Sequence, residues 1–181
     1  GALDIVVADN QNGGVKWFKN NGNADPTFTE QTGTAVSSDA SPSSVALGDI
    51  NNDGLMDIVA GYEGATDKLT WYQGDGGTTD WLPATDLKTT WSVDNAEIAD
   101  MNGDGDLDAF IGDSNTYSIK YYRNTRIDAG ADVGFVADAA GNPFAGVNIG
   151  DASIMIHFAD LDGDGDQDAF IGDRSGAITY F

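Results

Sequence analysis

Three segments of the chain align without a gap: "DINNDGLMDIVAGY" from Asp49, "DMNGDGDLDAFIGD" from Asp100 and "DLDGDGDQDAFIGD" from Asp160. Each reads D-x-[DN]-x-D-G-x-x-D followed by an apolar run. A shortened copy opens the chain, where "GALDIVVAD" sets Gly1 against Gly54, Gly105 and Gly165. The final aspartates of the copies, Asp4, Asp57, Asp108 and Asp168, recur at intervals of 53, 51 and 60 residues. A repeat of this length constrains the architecture more than any local propensity, because one unit cannot bury its own apolar face and must stack on the next.

Each unit repeats further elements around that core. A turn and a second short apolar stretch follow it: "VKWFKN" at Val15, "LTWYQG" at Leu69, "IKYYRN" at Ile119 and "AITYF" at Ala177. Another precedes the acidic loop: "SVALGD" from Ser44, "AEIAD" from Ala96 and "IMIHFAD" from Ile154. Linkers such as "TFTEQTGTAV" and "WLPATDLKTTW" are rich in β-prone Thr, Val, Trp and Phe. With Gly, Asn and Asp marking the turns and no helical periodicity, each unit reads as four short strands. The stretches "DIVAG" and "DAFIG" are apolar without alternation, the mark of a strand covered on both faces. The expected fold is all-β, a segment of a β-propeller with four-stranded blades. Residues 42–92 and 93–150 form whole blades, 1–41 a partial blade with strands two to four, and 151–181 a partial blade with strands one to three.

The loops concentrate charge. "DLDGDGDQD" places five carboxylates in nine residues, and their repulsion calls for a neutralising cation. Glycines at 163 and 165 favour a turn over a strand. Calcium takes six to eight oxygens at about 2.3–2.6 Å, which short Asp side chains and backbone carbonyls of a glycine-containing turn supply. The candidate ligands are Asp49, Asn51, Asp53, the Leu55 carbonyl and Asp57; Asp100, Asn102, Asp104, the Asp106 carbonyl and Asp108; and Asp160, Asp162, Asp164, the Asp166 carbonyl and Asp168. Leu55 cannot ligate through its side chain, so Asp106 and Asp166 at the same position are read as contributing charge and a carbonyl. An EF-hand needs a bidentate Glu at its twelfth position, where this chain has Ala60, Ile111 and Ile171. Magnesium fits less well, because it keeps several waters. A lone match would be read as readily as a solvated acidic turn; three copies in register favour about three calcium sites.

These residues resemble the FG-GAP and VCBS repeats, the blade type of integrin α-subunit propellers and of many secreted bacterial proteins and lectins. The likeness spans essentially the whole chain. It implies that the loops join the first and second strands of a blade and hold calcium in a structural role. Such propellers usually have about seven blades, and this chain holds two whole units and two partial ones. The expectation is therefore a larger assembly, with about four further blades or neighbouring subunits in a ring or filament.

Composition narrows the function. Eight Lys and Arg stand against 30 Asp and Glu, a net charge of -22 that repels nucleic acid and attracts cations. No apolar run approaches the length of a transmembrane segment. Without cysteine, no disulfide braces the loops of an extracellular protein, and metal ions would serve instead. The single histidine, His157, has neither a cysteine nor a second histidine to form a triad or a histidine metal site. No catalytic residues are assigned, and the chain is read as non-enzymatic. Trp17, Trp71, Tyr121 and Tyr180 recur in register and are assigned to packing between blades, whereas Trp81 and Trp91 fall outside it and are candidates to face a ligand. The resulting expectation is an extracellular, calcium-stabilised module for adhesion, carbohydrate binding or surface assembly, with a glycan or protein ligand. The alternative is the scaffold part of a secreted polysaccharide lyase or glycosidase whose catalytic groups lie elsewhere.

Overall fold

The computed structural model describes residues 2–11, 13–31, 36–39, 41–64, 68–76, 81–82, 84–88, 93–126, 134–147, 149–150 and 153–181. Among these there is no helix, and hence none long and apolar enough to cross a membrane. The strands form four antiparallel sheets in chain order. The first holds β1 (Ile5–Ala8), β2 (Val15–Asn20) and β3 (Phe28–Glu30). The second holds β4 (Pro42–Gly48), β5 (Asp57–Tyr62), β6 (Lys68–Tyr72) and β7 (Thr85–Lys88). The third holds β8 (Asn95–Ala99), β9 (Asp108–Asp113), β10 (Ser118–Asn124) and β11 (Phe135–Ala137), and the fourth β12 (Met155–Ala159), β13 (Asp168–Gly172) and β14 (Ile178–Tyr180). Every sheet is a meander in which sequence neighbours pair.

The sheets pack face to face, and the core lies between them in three layers. Along β5, Ile58, Ala60 and Tyr62 pack with Val15 of the first sheet. Val59 points the other way, onto Ala96, Ala109 and Ile111 of the third. Along β9 the same division recurs: Ala109 and Ile111 face the second sheet, while Phe110 joins Ile154, Ile156 and Ile171 of the fourth. This is why β5 and β9 carry unbroken apolar runs. Strand β4 lies against β8, and β8 against β12.

Two glycines set the distance between layers. A Cβ on Gly61 would sit 2.3 Å from Val93 Cγ1, and one on Gly112 would sit 2.6 Å from the Ile154 carbonyl oxygen. The equivalent Gly172, on the last sheet, has nothing within 4 Å of that position. Gly112→Ala is therefore expected to cost about 1–3 kcal/mol by overpacking, and Gly172→Ala to change stability by less than about 0.5 kcal/mol. Denaturant melts of the two variants check this, and equal losses would contradict the layer packing.

The outer faces are apolar as well. Ile119 on β10 is 2% exposed beneath the fourth sheet, whereas Ile178, at the equivalent place on β14, is 77% exposed. Tyr180 and, at the other end, Ile5 and Val7 are likewise exposed.

Candidate metal sites in the strand-joining loops

The loops 49–57, 100–108 and 160–168 join β4 to β5, β8 to β9 and β12 to β13. All three fold the same way because the side chains at alternate positions accept hydrogen bonds from the backbone that follows. The first carboxylate takes two N–H groups: Asp49 those of Asp53 and Gly54, Asp100 those of Gly103 and Gly105, and Asp160 those of Gly163 and Gly165, at 2.7–3.1 Å. Asn51, Asn102 and Asp162 accept from the N–H two residues on, as do Asp53, Asp104 and Asp164. The sixth position needs a left-handed backbone, with φ of 87° at Gly54, 87° at Gly105 and 98° at Gly165. That requirement explains its glycine.

In the third loop, Asp160, Asp162 and Asp168 bring one carboxylate oxygen each to within 4.8 Å of one another. Oxygens bound to one calcium at about 2.3–2.6 Å lie no more than about 5 Å apart, so this trio fits that ion. Among the described residues it is the one such group of acidic, His or Cys atoms. Asp164 and Asp166 lie outside it. In the other two loops an asparagine replaces the middle acid, and its amide donates to a neighbouring carboxylate: Asn51 to Asp53 at 2.9 Å, and Asn102 to Asp108 at 3.2 Å. The Asp106 side chain is turned to Arg126 and Asn52.

The ninth aspartate has a second set of partners that the sequence reading did not anticipate. Asp57 accepts from the Ile50 N–H at 3.0 Å and the Gly74 N–H at 2.8 Å, and Asp108 from the Asn124 N–H at 2.8 Å. In register, the Trp17 indole donates to Asp4, the Tyr121 hydroxyl to Asp108 and the Tyr180 hydroxyl to Asp168, at 3.1, 2.5 and 3.0 Å. The aromatic register is therefore more than packing. Trp71 and Tyr121 do lie in the layers between sheets, but Tyr180 is exposed. Three residues beyond these aromatics stand Asn20, Gly74 and Asn124, whose N–H groups hold the ninth carboxylate. That recurrence was present in "VKWFKN" and "IKYYRN".

Burial divides these carboxylates. Desolvation raises the Asp57 and Asp108 carboxyls above their usual range, against the hydrogen bonds they accept. Asp168 moves the other way: the hydrogen bond from the Leu161 N–H, joined by that from the Tyr180 hydroxyl, outweighs desolvation and leaves it below that range. Asp53 is partly desolvated, but its bonds from Asn51, Gln73 and the Leu55 N–H outweigh this and lower it.

The remaining candidates are placed as follows. Trp81 is half-buried, edge-on to Trp17 with centroids 6.3 Å apart. It lines a cleft of about 360 Å³ between the first two sheets with Leu3, Leu47, Leu55 and Met56. Trp91 lies outside the described residues. His157 on β12 is 70% exposed and 3.2 Å from Glu97 on β8.

Four successive antiparallel sheets, the last three each carrying an acidic loop between their first two strands, define an all-β repeat protein. Residues 1–60 match the family model of the FG-GAP-like repeat, a span that includes the first sheet and the 49–57 loop. The likeness to an FG-GAP-like repeat is confined to that span, about a third of the chain. No curated protein matches it.

Proposed function

We propose that the chain is a calcium-stabilised segment of a β-propeller, acting outside the cell as a non-enzymatic module for adhesion, glycan binding or surface assembly. The observation that carries this reading is the convergence of Asp160, Asp162 and Asp168 in a loop fold that recurs three times. Calcium would be held by side-chain oxygens at the first, third, fifth and ninth positions and by the carbonyl of the seventh. Its charge would offset the clustered carboxylates. The adjacency of β4, β8 and β12 supports a radial arrangement with first strands innermost. The apolar outer faces support further blades or subunits on either side. The assignment of the clustered aspartates to the loops favours a binding role over a catalytic one.

The test is a set of loop variants melted with and without calcium. Asp53→Ala, Asp104→Ala and Asp164→Ala are each expected to lower the melting temperature in calcium and to have little effect in chelator. Asp164→Ala should lose most, because its loop offers four ligand carboxylates where the others offer three and an asparagine. Equal losses in both buffers would overturn the metal reading, and the largest loss from Asp53→Ala would show that loop rigidity outweighs ligand charge.

A further inference from the structure

Two neutral side chains tie the 49–57 loop to the 100–108 loop. Asn52 stands at the fourth position, where the other loops have Gly103 and Gly163, and shares their left-handed backbone with φ of 53°. Its amide donates across the sheet boundary to the Gly105 carbonyl oxygen and to Asp106 Oδ1, both at 3.1 Å. Deeper, the buried Asn124 donates its amide to the carbonyl oxygens of Ile50 at 3.1 Å and Leu107 at 3.2 Å, and its N–H to Asp108 Oδ1. The N–H of Ile50 in turn donates to Asp57 Oδ2. A line of hydrogen bonds therefore runs from Asp57 through the backbone N–H and carbonyl of Ile50 and through Asn124 to Asp108, joining the ninth carboxylates of both loops.

We propose that the calcium sites of these two loops are coupled through Asn52 and Asn124, so that filling one raises the affinity of the other. The inference rests on the calcium reading above. Fixing one loop fixes the peptide and side-chain partners of the next, so the second ion meets a loop already ordered. By linkage the effect is reciprocal. Toward the 160–168 loop, the place of Asn52 is held by Gly103, which has no side chain to bridge with.

The test is calorimetric titration with calcium in an Asp164→Ala background, which leaves the two loops in question. Adding Asp104→Ala, which disables the second loop, is expected to weaken binding at the first by about fivefold or more. Asn52→Gly, the residue of the sibling loops, and Asn124→Gly, the residue at position 74, should each shrink that ratio. As a second measurement, Asn52→Gly alone in the intact chain should flatten the titration curve without changing the number of ions bound. First-loop affinity that is the same with and without the second loop overturns the coupling while leaving calcium binding standing. An intact chain that takes up no calcium overturns both.

Discussion

Chelation of calcium is expected to lower the melting temperature of this chain by about 15–30 °C. An ion that binds only the folded state adds about 2.7 kcal/mol at a hundredfold excess over its dissociation constant, so three loops add about 8 kcal/mol. For a chain of this size each kcal/mol shifts the midpoint by about 2–4 °C. Removing the ions also exposes the mutual repulsion of four carboxylates in the ligand positions of the third loop and three in each of the others, in a protein of net charge -22. A thermal melt with and without chelator reads the effect. High salt should recover part of the loss by screening, because the carboxylates of the 160–168 loop, on the fourth sheet, lie at or near the surface. A midpoint that chelator leaves unmoved would mean that the hydrogen bonds of the loops suffice to hold them.

The second large effect concerns the ninth aspartates as structural groups. Asp57 and Asp108 are fully buried. Asp57→Ala leaves the N–H groups of Ile50 and Gly74 without their acceptor, and Asp108→Ala strips the Asn124 N–H and the Tyr121 hydroxyl. Each change is expected to cost about 3–5 kcal/mol, since a buried donor left unsatisfied costs about 1–3 kcal/mol. This loss should persist in chelator, unlike that of Asp53→Ala. Denaturant unfolding of the metal-free variants measures it. If metal-free Asp57→Ala unfolded at the same denaturant concentration as the parent, the ninth position would serve the ion alone.

Much of this was legible because the repeat exposes it. The unbroken apolar runs of β5 and β9 announce strands covered on both faces, and Ile58 and Val59 do pack against different sheets. The loops were legible because D-x-[DN]-x-D-G places turn-forming residues with oxygen-bearing side chains at alternate positions. Contacts between units were not, since no local pattern encodes them. Asn124 reaches the carbonyl of a residue 74 positions earlier, and Asn52 stands where the sibling loops have glycine. Strand β11 has only three residues. After it, the segment 138–147 sends Phe144 back into the layer beside Phe110 and Phe158, a return that the repeat does not announce. The ninth aspartate read as a ligand only, because the N–H groups of Asn20, Gly74 and Asn124 that it accepts from stand at or just beyond the far end of the third strand.

The claim at the centre of this account is that the three acidic loops are calcium sites. Native mass spectrometry of the chain equilibrated with calcium at neutral pH counts the ions directly. The expected result is about three per chain, with one lost on Asp53→Ala, one on Asp104→Ala and one on Asp164→Ala. A folded chain that carries no calcium, or whose ion count is unchanged by all three substitutions, would contradict it.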